Sequence, residues 1–214
     1  MKFDKKQMLL YAVTDRTWTG EETLLEQVRH TLDGGITCLQ LREKNMCNDE
    51  LIQEAKEVKK LCNEYAVPFI INDYVNVARL IDADGVHVGQ ADMNAADVRA
   101  YVGQDKILGV SVQTIEQAIK AEQSGADYLG VGAMFGTNTK PDAVDVSLLE
   151  LQEICAAVKI PVIAIGGINI DNVSLLKDTG ICGVAVISAL YAKKDIEQAT
   201  KDMRKQLELS LGDI

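Results

Sequence analysis

The chain has 214 residues, 47% of them hydrophobic and 25% charged, enough for one domain with a large core. Its formal net charge of −10 speaks against binding nucleic acid or anionic membrane through bulk electrostatics, while leaving room for a local cationic pocket. No segment has the length of a bilayer span, and the apolar run near the N-terminus is too short for a secretory signal.

Eight short apolar runs punctuate the chain, at residues 9–14, 38–42, 68–72, 85–89, 106–111, 128–133, 161–166 and 183–188. Helix-like stretches lie between them. The first, 24–33, stops at Gly34-Gly35, a helix C-terminal signal. The next, capped by Asn48 or Asp49, runs through Tyr65, with Leu51, Ile52, Ala55, Val58, Leu61 and Cys62 near helical spacing. Further stretches cover 114–124, 147–158, 171–178 and 194–209.

Strands alternating with helices predict parallel strands joined by right-handed crossovers. Eight such units need roughly 200 residues and fit a closed TIM (β/α)8 barrel, filling a single domain over 1–214. The first strand ends in Thr14-Asp15-Arg16-Thr17, without the glycines of a dinucleotide-binding turn.

Side chains along a strand alternate faces. In the second run Leu39 and Leu41 share the face expected to meet helices, so Cys38, Gln40, Arg42 and Lys44 point inward. An inward arginine needs a partner. Either an internal ion pair, with Asp15 or Glu43, or an anion at the barrel mouth supplies one. Gly109, Ser111, Gly130 and Gly132 fall on inner faces, where missing side chains either leave room for a ligand or accept a large neighbour. His87 is also inward by alternation, and a hydrogen-bonded neutral core histidine is expected there. His30 sits on the first helix, structural or exposed.

Polar residues gather where the strands stop, which is where such barrels keep their chemistry. Asp73 follows the third run and Asp92 the fourth. Adjacent strands lie about 4.8 Å apart, so two carboxylates above neighbouring ends can share one ion. Oxygen ligands without histidine or thiolate suit Mg²⁺. Each aspartate alone reads equally well as a cap for the following turn or helix. Thr137, Asn138, Thr139 and Lys140, after the sixth run, form a plausible anion cradle without P-loop spacing. Gly167, Ile187 and Ser188 close the seventh and eighth runs, where barrels frequently bind phosphate. The five cysteines are odd in number and lack C-x-x-C spacing, as expected of free thiols in a cytoplasmic protein.

In this order and spacing the segments Tyr11–Asp15, Gln40–Lys44, Ile71–Asp73, Gly85–Asp92, Gly109–Ser111, Thr137–Lys140 and Ala164–Ile168 resemble the thiamine-phosphate synthase family over nearly the whole chain. The resemblance implies a TIM barrel that joins 4-amino-2-methyl-5-(diphosphooxymethyl)pyrimidine to the 4-methyl-5-(2-phosphoethyl)thiazole, or its carboxylated form, releasing pyrophosphate. It implies that Gln40, Leu41, Arg42, Glu43, Lys44, Asn72 and Ser111 bind the pyrimidine diphosphate. Thr137, Asn138, Thr139, Gly167, Ile187 and Ser188 are then expected to bind the thiazole phosphate, with Lys140 between the anions and Asp73 and Asp92 on Mg²⁺. Arg42, Lys44, Ser111 and Lys140 take catalytic roles in this reading. Two positions depart from the usual pattern: Gln113 stands where many members carry histidine, and Gly136 where many carry proline. A thiazole tautomerase on the same scaffold and a non-catalytic phosphate-binding regulator are the alternatives. The first relies on the histidine missing here; the second has no use for the carboxylate pair.

Overall fold

The computed structural model describes residues 4–44, 46–136 and 145–212. Its strands are β1 (Leu10–Val13), β2 (Cys38–Leu41), β3 (Phe69–Asn72), β4 (Gly85–Val88), β5 (Ile107–Val112), β6 (Tyr128–Val131), β7 (Val162–Ile165) and β8 (Gly183–Val186). They pair parallel in chain order, and β8 returns to β1 through Leu10↔Val184 and Ala12↔Val186, closing a TIM barrel. Seven strands fall inside the apolar runs, and β5 overshoots its run by one residue, Val112.

Period-two alternation divides the core into two shells. Leu10, Ala12, Leu39, Leu41, Phe69, Ile71, Val86, Leu108 and Leu129 pack outward against the helices. Tyr11, Val13, Cys38, Ile70, Ile107, Tyr128, Ile163 and Ala185 fill the interior. A one-residue slip in any strand would exchange these sets, so the burial pattern fixes the register.

The helices are α1 (Leu24–Asp33), α2 (Asn48–Glu64), α3 (Val75–Leu80), α4 (Ala95–Val102), α5 (Ile115–Gln123), α6 (Leu148–Ala157), α7 (Ser188–Tyr191) and α8 (Ile196–Leu211). Capping boxes start two of them: Thr23 with Glu26 at α1, and Ser147 with Glu150 at α6. The residue before α2 is Cys47, which makes no side-chain cap, so Asn48 is the first helical residue rather than the cap.

The helix expected over 171–178 is only a 3₁₀ turn, Val173–Leu176. Asn169 and Asn172 account for its lost first turn. Their side-chain amides donate to the Gly167 carbonyl, and Asn172 Oδ1 accepts from Asn169 N at 2.8 Å. Such local bonding competes with helix formation. Downstream, Asp178 takes a φ of 62° and ends the segment.

At the N-terminal rim a buried arginine fastens β5 to β6. Arg99 donates to the carbonyls of Gly125 at 2.8 and 3.0 Å, Gly103 at 2.7 Å and Lys106 at 2.6 Å, and pairs with Asp127. Asp127 in turn accepts from Leu108 N at 2.8 Å.

Candidate active site

At the opposite rim the strand ends surround a cavity of about 310 Å³. Gln40, Arg42, Asn72, Ser111, Gly167, Ile187 and Ser188 all line it, together with Tyr11, His87, Gln90, Gln113, Gly130 and Ile163. Alternation explains the first of these. Gln40 pairs in register with Val13 and Ile70, whose side chains also face inward.

Arg42 arrives already paired. Its Nη1 lies 3.0 Å from Asp15 Oδ2, and its backbone N–H donates to Thr14 Oγ1 at 2.9 Å. Burial alone would raise the Asp15 carboxyl. The Thr17 hydrogen bonds and the Arg42 charge outweigh it and hold Asp15 below its usual range. The internal ion pair and a place at the mouth therefore coexist for Arg42. Glu43 is not its partner. That carboxylate lies on the outer face, buried, and accepts from Arg16 Nε at 2.9 Å. Desolvation pushes the Glu43 carboxyl up against the opposing pull of Arg16.

Three residues of the expected binding segment, Leu41, Glu43 and Lys44, do not line the main cavity. Leu41 packs in the outer shell, and Glu43 is held by Arg16. Both follow from alternation, since they share the face of Leu39. Lys44, expected to point inward, is instead exposed: it lies three residues past the end of β2, where strand alternation no longer fixes its face, and it lines, with Arg42, Glu43, Asp15 and Arg16, a neighbouring cleft of about 500 Å³. Thr137, Asn138, Thr139 and Lys140 lie outside the described residues.

Asp73 and Asp92 are neighbours at the mouth. The Asp73 carboxyl is raised to about 6, first by desolvation and then by the charge and hydrogen bond of Asp92. Asp92 Oδ2 accepts from Gly89 N at 2.7 Å, which holds its loop over β4. Asp73 itself takes a φ of 62°, unusual outside glycine, and its N–H donates to the His87 carbonyl at 2.9 Å. A left-handed backbone therefore holds Asp73 beside a second carboxylate, Asp92.

A chain of side-chain hydrogen bonds crosses the barrel floor. Gln40 Nε2 donates to Tyr11 Oη at 2.9 Å; Tyr11 and Tyr128 hydroxyls meet at 2.8 Å; Tyr128 Oη lies 2.8 Å from His87 Nδ1; and His87 Nε2 lies 2.8 Å from Ser111 Oγ. Burial pushes both phenols well above their ordinary range, so both stay protonated. His87 is the hydrogen-bonded core histidine its alternation predicts. Gly109 does not leave room for a ligand: a Cβ there would stand 2.2 Å from Tyr128 Cζ and 2.4 Å from His87 Nδ1. Its missing side chain accepts those two rings instead. Gly167, at a φ of 66°, faces the Phe135 carbonyl so closely that a Cβ would meet its oxygen at 2.3 Å.

Tyr11, Tyr128 and Gln90 are parts of the site that were not among the residues expected from the sequence. The signal was present for Tyr128, which shares the inner face of Gly130. Gln90 Nε2 donates to the Ser111 carbonyl at 2.7 Å and braces the end of β5.

The family described as thiamine monophosphate synthase matches residues 10–190. The chain belongs to that family. It is 48% identical over 194 residues to the thiamine-phosphate synthase of Clostridium tetani, covering 91% of this chain and 93% of the relative. The thiamine-phosphate synthase of Ruminiclostridium cellulolyticum is 49% identical over 194 residues, 91% of this chain and 92% of that one. Among solved structures, the thiamine phosphate pyrophosphorylase of Pyrococcus furiosus superposes with a TM-score of 0.90 at 41% identity, covering 97% of this chain and 99% of that chain.

Proposed function

We propose that the chain is a thiamine-phosphate synthase that joins the aminopyrimidine diphosphate to the thiazole phosphate with release of pyrophosphate. The observation that carries this reading is the convergence of Gln40, Arg42, Asn72, Ser111, Gly167, Ile187 and Ser188 on one cavity beside the Asp73–Asp92 pair. Membership of the family supports it.

The carboxylate pair fits a hard divalent cation: two oxygens held together against their own repulsion are relieved by a bound ion. Asp73 and Asp92 would hold Mg²⁺, which when bound would offset charge on the diphosphate. Arg42 and Lys44 draw the diphosphate to the β2 side of the mouth, and Arg42 keeps a fixed direction because Asp15 anchors it. Asn72 and Ser111 add polar contacts. The C–O bond to the diphosphate breaks, and the electron pair leaves with pyrophosphate. The pyrimidinylmethyl cation that remains is stabilised by the ring amino group. The thiazole nitrogen then supplies the pair for the new C–N bond. Gly167 and Ser188 hold the thiazole phosphate, with Thr137, Thr139 and Lys140 completing that side. Catalysis of this kind rests on positioning and on stabilising the leaving group.

A cytoplasmic setting fits the thiols, since Cys38, Cys47, Cys62, Cys155 and Cys182 are all free. Among the described residues no helix is long and apolar enough to cross a membrane. Incubation with both precursors and Mg²⁺, followed by mass detection of thiamine phosphate, tests the reading. A correctly folded protein that forms no product overturns it.

A further inference from the structure

We propose that Tyr11 and Tyr128 are positioning residues that set the direction of the hydrogen-bond chain across the barrel, so that Gln40 presents its carbonyl oxygen and Ser111 its hydroxyl proton to the mouth. The inference deepens the functional reading above and rests on it for the identity of the ligand.

Gln40 sets the direction, because its Nε2 can only donate. That amide nitrogen lies 2.9 Å from Tyr11 Oη, so the Tyr11 oxygen accepts there. The Tyr11 proton is then available to Tyr128 Oη, 2.8 Å away. Tyr128, having accepted, passes its own proton toward His87 Nδ1 at 2.8 Å. A ring nitrogen that accepts leaves the proton of a neutral imidazole on the other nitrogen. His87 Nε2–H therefore donates to Ser111 Oγ at 2.8 Å. With one lone pair of Ser111 so occupied, its hydroxyl proton turns toward the cavity.

Both ends of the chain line that cavity, and they offer opposite chemistry. At Gln40 a hydrogen-bond acceptor faces the ligand, matched to a ring amino group. At Ser111 a donor faces it, matched to an anionic oxygen. An acceptor beside the amino group also favours the electron release that stabilises the pyrimidinylmethyl cation. An oxo-substituted ring would set oxygen against oxygen at Gln40, so the same chain selects amino- over oxo-pyrimidines. Tyr11 and Tyr128 are wholly buried. They act through Gln40, His87 and Ser111.

Nitrogen-15 NMR of the histidine rings reads the chain directly. The expected result is the Nε2–H tautomer of His87 in the unaltered protein and a mixture of tautomers in Tyr128→Phe. In steady-state assays Tyr128→Phe should lower kcat/KM about tenfold, the size of one oriented hydrogen bond. In a Ser111→Ala background the same change should lower it much less. Tyr11→Phe, a second variant should the first not fold, should shrink the preference for the amino- over the oxo-pyrimidine diphosphate. An Nδ1–H tautomer in the unaltered protein overturns the proposal. So does full additivity of Tyr128→Phe with Ser111→Ala. A protein with the expected His87 signal that makes no thiamine phosphate overturns the functional reading instead.

Discussion

Arg42 Nη1 stands 3.0 Å from Asp15 Oδ2, which ties the cation at the end of β2 to the turn that follows β1. Both side chains are largely shielded from water. A pair in such a place is more than a surface contact, because either charge left alone keeps its desolvation cost.

Arg42→Ala should therefore lower kcat/KM for the pyrimidine diphosphate by roughly a hundredfold, through loss of a charge-assisted contact. Asp15→Asn keeps the guanidinium but loosens its direction. It should raise KM for the same substrate several-fold and leave kcat closer to normal. Steady-state kinetics with each substrate varied in turn separates the two variants.

The raised Asp73 carboxyl gives a pH dependence with a definite sign. The folded protein holds this proton up to about pH 6, against 3.8 for an ordinary aspartate. Between those values the native state binds more protons than the unfolded one, so metal-free stability falls as pH rises through the window. Asp73→Asn removes the penalty and also suits the left-handed backbone. It should stabilise the metal-free protein at pH 7 by about 1 kcal/mol or less, given solvent screening at an open mouth. Turnover should fall by orders of magnitude. Thermal melts at pH 5 and pH 7 with EDTA, beside product assays with Mg²⁺, check both halves.

Gly109→Ala forces a methyl group into Tyr128 and His87, the shortest contact being 2.2 Å. It should cost about 1–3 kcal/mol by overpacking and depress activity as well. Gly136→Ala is the contrast. Among the described residues nothing lies within 4 Å of a Cβ there, so its stability should stay within about 0.5 kcal/mol of the parent. Urea unfolding of the two variants decides.

Lys140→Ala tests the sixth loop, on which the sequence places hydroxyls and one ammonium. A charge acting on departing pyrophosphate counts most in the transition state. The variant should lower kcat as well as raise KM for the thiazole phosphate. A rise in KM with kcat unchanged would leave Lys140 a binding residue only.

The strands were legible because each is a short apolar run whose alternation separates a helix-facing set from an inner set. The same alternation placed Gln40, Arg42, His87 and Ser111 inside. It also placed Leu41 and Glu43 outside, so the Gln40–Lys44 segment divides between two faces. What alternation cannot read is pairing between strands far apart in sequence. Arg42 had two candidate partners within reach, and only the fold assigns Asp15 to it and Arg16 to Glu43. The Tyr11–Tyr128 contact joins residues 117 positions apart, so alternation could place Tyr128 on the inner face but could not pair it with Tyr11. The 171–178 segment failed as a helix because Asn169 and Asn172 spend their side chains on the Gly167 loop.

Arg99 gives the barrel a keel. One guanidinium ties three backbone carbonyls and a carboxylate at the rim away from the cavity. A lysine in its place supplies a point charge without the planar fork. Arg99→Lys should thus lower the melting temperature while the protein that stays folded turns over at its usual rate. Durability and chemistry would then be separately adjustable, each from its own end of the same eight strands.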